Sequence, residues 1–414
     1  MRIAVVGSGI AGLGSAWLLS QRHEVVLFEA DDRLGGHTDT HAVEVGGRNL
    51  AIDTGFIVYN DLHYPLLARL FDVLGVASQP TTMSFSVHEE RSGLQYNAGS
   101  LRGLFCQPRN LVDPRYWRLL ADLRRFYREA PALLDEEGHG PTLGDYLATH
   151  GYSAAFRDAH LVPMASALWS SPSARILDFP AVHLVRFMAN HHMLQVDGRP
   201  CWRVVSGGSR RYIDAMTRRW QVEVRTGCAV LGVQRTANDV RVTTRAGSET
   251  FDEIVLACHA DDALAVLDDA GVRERSILRD LAFQDNEAVL HTDARLLPPN
   301  RRAWAAWNAH VSADAEAPCT VSYWMNALQS IDSSEPLIVT LNRTAAIDPA
   351  KVLRTCRYRH PVQTRASVAA QQRKSEIQGV AHTWYAGAYW GHGFHEDGLR
   401  SAVDVARAFG IDFP

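Results

Sequence analysis

The sequence predicts an α/β fold: a parallel-sheet domain with a second, α+β domain interleaved through it. Three observations carry this. A short apolar run at residues 2–6 leads straight into Gly7-Ser8-Gly9-Ile10-Ala11-Gly12, then a helical pattern over 11–21, then a second run at 23–29 ending in Glu29. Further strand-like stretches, at 239–257 and 383–387, lie far downstream. The chain has 414 residues, and single cores stop growing at roughly 250–300, so two domains are expected.

Each part of the N-terminal pattern has a physical role. Gly7 permits a tight turn, Gly9 lets backbone approach a pyrophosphate, and Gly12 lets the helix pack close to its strand. The helix start, with Ser8, Ile10 and Ala11 beside the glycines, offers free N–H groups and a positive dipole to phosphate. Glu29, followed by Ala30, is placed to accept from a ribose diol. A glycine motif alone is weak evidence; strand, helix and acid in register predict a dinucleotide site. The uncharged stretch 3–19 mimics a leader or a membrane span. It holds glycines at 7, 9, 12 and 14, lacks a small-residue cleavage pattern, and falls short of ~20 apolar residues. It is read as folded structure.

Composition narrows the partners. With 46% hydrophobic and 21% charged residues, the chain is neither disordered nor fibrous. Net charge is -4 with no basic tract, which argues against nucleic acid. Of 42 basic residues only Lys351 and Lys374 are lysine. The six cysteines (106, 201, 228, 258, 319 and 356) form no CxxC pair, and read as reduced thiols of a cytoplasmic protein. His191-His192 has no third ligand at a sensible spacing, so no metal is expected.

The next segments are more specific. Arg33-Leu34-Gly35-Gly36-His37-Thr38 follows the second strand, and Asp53-Thr54-Gly55-Phe56-Ile57 comes soon after. The first resembles the R-x-G-G-R-x-x-[ST] element of the flavoprotein group that includes flavin amine oxidases, phytoene desaturases, protoporphyrinogen oxidase and UDP-galactopyranose mutase. His37 stands where many members have arginine. The resemblance continues at Gly207-Gly208, a helix over 212–220, and Val230, matching the valine whose backbone contacts adenine. At the C-terminus, Gly387 and the run His395-Glu396-Asp397-Gly398-Leu399 resemble the closing motif, with Ala388 in place of an acid and Leu399 in place of a small residue. Segments such as 53–60, 83–87, 166–172, 201–209, 323–329 and 391–399 are similar to bacterial proteins described as NAD/FAD-binding or amine-oxidase-like.

The resemblance implies FAD on a Rossmann-like domain of the GR2 type, built from 1–85, 200–275 and 380–414; no cysteine lies in the closing loop, so the binding is expected to be non-covalent. The substrate domain is then 86–199 and 276–379. It also implies a flavin oxidoreductase. Amine oxidases of the group often hold a lysine near flavin N5; here that position falls near Glu287 or Ala288, and no lysine is near. This favours hydride abstraction from a mostly apolar small molecule, a lipid or isoprenoid among the candidates. The alternatives are a flavin amine oxidase and a redox-neutral isomerase or mutase. His392, Trp390 and Tyr323 are the catalytic candidates, with Trp169, Trp324 and Asn326 as pocket candidates. The 111–150 stretch reads as an amphipathic packing helix, leaving at most peripheral membrane contact.

Overall fold

The computed structural model describes every residue except 136–139, 170–172, 196 and 315–319. Cys319 and the end of the 166–172 segment therefore lie outside the described residues.

The residues 3–19 stretch is a strand and a helix. β1 (Arg2–Val6) runs into α1 (Ile10–Leu19), which returns the chain to β2 (Glu24–Phe28). β3 (Val222–Arg225), β4 (Glu253–Leu256) and β5 (Thr383–Tyr385) complete a parallel sheet in the order β3-β2-β1-β4-β5. Val5 lies beside both Leu27 and Val255, and Val255 beside Trp384. Because strand side chains alternate, β1 feeds two cores. Ile3 and Val5 join Leu13 and Leu18 of α1, and Leu399 and Val403 of α2 (His395–Ala408). Ala4 and Val6 face the other way, toward the meander 230–251 and the helices Ala260–Val266 and Val272–Asp280. Covered on both faces, the strands need no polar alternation, which is why they read as continuous apolar runs.

A second sheet has seven strands. Its order is Val352–Pro361, Phe283–His291, Ile338–Leu341, Thr320–Trp324, Trp307–Val311, Phe85–Glu89, Leu94–Asn97. All neighbours are antiparallel except Trp307–Val311 with Phe85–Glu89. A helical layer with its own core, including Phe126, Leu147, Phe156, Leu184 and Phe187, packs beside it. The amphipathic stretch supplies the helix Pro114–Glu129, which buries Leu119 and Phe126, while Trp117 is exposed. Among the described residues, no helix is long and apolar enough to cross a membrane.

Candidate functional site

The β1–α1 turn sits at the carboxyl end of the parallel sheet, where open α/β sheets bind ligands. Gly7 has φ +97°, and a Cβ there would lie 2.8 Å from the Ala257 carbonyl oxygen. A Cβ on Gly12 would collide with the Gly7 carbonyl oxygen. Gly9 differs: a Cβ there would meet nothing within 4 Å. Ile10, Ala11 and Gly12 form the first turn of α1, with no side-chain cap and no acid.

Glu29 closes the turn from β2. One of its carboxylate oxygens accepts from the Ser8 amide at 2.8 Å and the Ser8 hydroxyl at 2.5 Å, and the other from the Asp31 amide. Ala30 is exposed. The Gly35-Gly36 element folds onto this turn. Gly35 donates its N–H to the Ser8 carbonyl, and a Cβ on Gly36 would lie 3.1 Å from the Gly9 Cα. Both glycines have positive φ, +123° and +56°, which L side chains rarely adopt. Arg33 donates to the Gly36 and Thr38 carbonyls and pairs with Asp39 at 3.1 Å.

His37 packs among Tyr358, His360 and His259, with ring centroids 5.2, 5.2 and 6.1 Å away. Its Nε2 has no partner, and burial drives its pKa well below the ordinary value. Thr38 lies 2.6 Å from the Tyr212 hydroxyl and 2.9 Å from His395 Nε2. Thr54 lies 2.5 Å from the Tyr358 hydroxyl. Gly55 passes against the His37 carbonyl, and the Phe56 ring stacks on His395 at 3.8 Å. Ile57 joins the apolar cluster of the second sheet. Val230 starts the meander and is buried.

The closing segment meets α1 directly. Gly398 abuts Ile10, and the Leu399 side chain fills the space that Gly14 leaves, 3.0 Å from where its Cβ would stand. The larger residue at 399 is thus matched by the absent side chain at 14. Gly387 donates its N–H to Ser401. Asp397 accepts from the amides of His392 and Phe394, holding the loop before the helix.

The three catalytic candidates are not brought together. His392 Nδ1 lies 3.3 Å from His183 Nε2, and its carbonyl accepts from the Trp169 indole. Burial lowers the pKa of both imidazoles, that of His183 to about 3. Tyr323 is buried between the second sheet and the helix Val162–Trp169, its hydroxyl donating to the Ala167 carbonyl at 3.4 Å. Trp390 points elsewhere: its indole donates to the Tyr385 carbonyl, and Lys374 sits over its ring. Trp324 packs on Trp304, and Asn326 ties the 333–337 loop.

Sequence reasoning missed several organising residues. Buried Asp53 accepts from the Ser209 amide and hydroxyl, Thr40 and Gln329, joining three distant segments. Its pKa is pushed up to about 6, burial being the main cause. Buried Glu396 accepts from the Leu66 and Leu67 amides and so caps the helix Pro65–Leu74. His183 pairs with His392 from a segment that carried no motif. The only available signal was positional, Asp53 and Glu396 each lying inside a recognised element.

Comparison with known proteins assigns the class. A family model described as flavin containing amine oxidoreductase matches residues 10–292, well over half the chain, and the chain belongs to that family. No curated protein matches it. Solved structures do, over nearly their whole length. A cyclohexylamine oxidase from Brevibacterium oxydans is 16% identical, with TM-score 0.69, covering 99% of each chain. A putative protoporphyrinogen oxidase from Exiguobacterium is 15% identical, with TM-score 0.68, covering 99% of this chain and 98% of its own. A fatty acid isomerase from P. acnes is 15% identical, with TM-score 0.67 and 99% coverage of each. The fold is that of these flavoproteins, a Rossmann-like FAD-binding domain with a parallel sheet. The protein is an FAD-dependent oxidoreductase. Its residues fit the cofactor: open space at Gly9, the uncapped start of α1, and the buried Nε2 atom of His37, which has no partner among the described residues.

Proposed function

We propose that this oxidoreductase dehydrogenates a mostly apolar small molecule, with a fatty-acyl or isoprenoid chain as the substrate class, in the cytoplasm and with at most peripheral membrane contact. The observation that carries the reading is the apolar cluster packed against the cofactor segment. Ile57 follows Phe56 and belongs to one apolar cluster with Ala167, Ala288, Tyr323, Met325 and Leu341. That cluster holds no ammonium group. Lys351 lies 3.9 Å from Asp293 and Lys374 pairs with Asp404 at 2.7 Å. Glu287, the other position where a lysine was sought, hydrogen-bonds Thr344.

Bound FAD supplies a two-electron acceptor at its N5 atom. In this reading the glycine turn, Glu29 and Gly35–Thr38 bind the cofactor, and α2 sets its dipole toward the flavin pyrimidine. The cluster around Ile57 and Tyr323 orients a C–H bond and excludes water. Burial holds the His183–His392 pair neutral at pH 7 and weakly basic, so its part in this reading is to hydrogen-bond rather than to take a proton. Trp390 is given no part, because its indole is committed to the Tyr385 carbonyl.

The test is anaerobic mixing of the holoenzyme with saturated acyl chains, isoprenoids and amines, following loss of the oxidised-flavin absorbance. Reduction by the apolar compounds is expected. Reduction by amines alone rejects the reading in favour of amine oxidation. Turnover that appears only after chemical reduction, with no net electron transfer, assigns a redox-neutral reaction instead.

A further inference from the structure

Three segments that carry no shared motif converge at one edge of the seven-stranded sheet. Cys356, on the edge strand Val352–Pro361, has its Sγ 3.2 Å from His41 Nε2. The same His41 nitrogen lies 3.2 Å from Asp39 Oδ2. That carboxylate oxygen also receives the Tyr358 hydroxyl at 3.0 Å and the Arg33 guanidinium at 3.1 Å. Thr54 Oγ1 is 3.8 Å from the sulfur. Cys356 is neither buried nor fully exposed.

Two chemistries compete for such a cluster. Cys, His and Asp are all ligands for a soft or borderline cation. Here Asp39 Oδ2 already accepts from Arg33, Tyr358 and His41, and a guanidinium beside it repels a metal ion. The arrangement fits instead a cation shared by two anions: one imidazolium N–H between a thiolate and a carboxylate, with Arg33 balancing the second negative charge. Such surroundings activate a thiol.

We propose that Cys356 is a modification site, a thiolate paired with His41 that reacts with hydroperoxides and other soft electrophiles, and whose oxidation loosens the cofactor loop. The titration behaviour agrees. Burial is the largest single influence and would raise the Cys356 thiol, but the hydrogen bond and charge of His41, with hydrogen bonds from Tyr358 and Thr54, together outweigh it and leave the pKa below its ordinary value. His41 rises to about 9, first through Asp39 and then through Cys356. With hydrogen peroxide, the sulfur attacks one peroxide oxygen and the O–O bond breaks. Sulfur is oxidised by two electrons to the sulfenic acid, and the departing hydroxide takes the His41 proton as water. The sulfenic acid is neutral, so His41 loses one anionic partner as it loses its charge. Asp39 is then held by Arg33 and Tyr358 alone, and Arg33 is the residue that anchors the Gly36 and Thr38 carbonyls. The thiol chemistry stands independently of any substrate; the effect on the loop rests on Gly35–Thr38 contacting FAD.

The experiment uses the purified holoenzyme and follows alkylation of each cysteine by iodoacetamide with peptide mass spectrometry. Cys201, exposed and without a histidine partner, is the internal reference. At pH 6.5 Cys356 should react about tenfold or more faster than Cys201. Its rate should fall at least as far in His41→Gln, and its pH profile should inflect below ~8.5. One equivalent of hydrogen peroxide should place a dimedone adduct on Cys356, absent in Cys356→Ser. Equal rates at Cys356 and Cys201, with the profile inflecting at the ordinary thiol value, would overturn the proposal. That profile needs only the unsubstituted protein, so a misfolded variant does not blunt it. FAD affinity is measured separately. A several-fold rise in Kd after peroxide, reversed by dithiothreitol and absent in Cys356→Ser, supports the link to the loop. An unchanged Kd in an oxidised protein rejects the link while leaving the reactive thiolate in place.

Discussion

The two ends of the candidate site are built by different means. At the cofactor end, backbone does the work: Gly7, Gly35 and Gly36 adopt positive φ, and Gly9 and Gly12 leave room where side chains would stand. At the other end, side chains from separate segments meet: His183 from the helix Ala181–Asn190 and, from the closing loop, His392, whose carbonyl accepts from the Trp169 indole. Backbone geometry is written in consecutive residues, so a short motif announces it. A meeting of side chains depends on packing across the whole chain, and no local pattern encodes it.

The sharpest way to break this contrast is at Gly12. In Gly12→Val the new side chain strikes the Gly7 carbonyl, and relieving it means opening the turn. A loss of about 3 kcal/mol of stability is expected, with no flavin retained on purification. The checks are the urea midpoint and the absorbance ratio. Normal flavin content would show that the turn is not what holds the cofactor.

Acid should strain the buried histidines, at both ends, before the glycine turn, which holds none. Burial pushes His183 and His395 down to about 3 and His191 to about 4, from an ordinary 6.5. Each is neutral when folded but takes a proton in the unfolded chain below pH 6.5. Their contribution is therefore complete above 6.5 and is lost as pH falls toward 4, by about 1.4 kcal/mol per pH unit for each group. Amide exchange in residues 181–190 and 391–395 should rise in this window before that of Gly7–Gly12. Simultaneous rises would mean that the two ends form one cooperative unit.

Gly9→Ala tests the cofactor end more finely. The backbone there is extended with negative φ, and the space beside it is free of protein atoms. Apoprotein stability should change by less than about 1 kcal/mol, while the Kd for FAD should rise about tenfold, or ~1.4 kcal/mol. An unchanged Kd would move the diphosphate away from this turn. The smallest effect is expected from Lys351→Met and Lys374→Met, whose turnover should stay within twofold. A larger loss would put an ammonium group into the chemistry and favour amine oxidation.

Legibility in the sequence followed the same division. The turn, Glu29, the paired glycines and the closing helix were all readable, because each is a constraint on neighbouring residues. So was Leu399 as an oddity, though its partner Gly14 was visible only as another glycine in a glycine-rich stretch. Trp390 read as a catalytic candidate because it lies near His392 in the closing segment. The 3-10 turn Ala388–Trp390 instead leaves its ring beside Lys374. Asp39, His41 and Cys356 were invisible as a set: two flank one threonine, and the third lies 315 positions beyond His41.

The parallel sheet has a temporal consequence. β1 and β4 are neighbours, yet β5, which covers the far edge of β4, arrives only at Thr383. At ~5–20 residues per second of synthesis, the nascent β4 edge waits several seconds or longer for its mate. During that interval α1 also lacks Leu399 and Val403. A ribosome-bound intermediate with an unpaired strand and an uncovered apolar helix is thus built into the order of the segments.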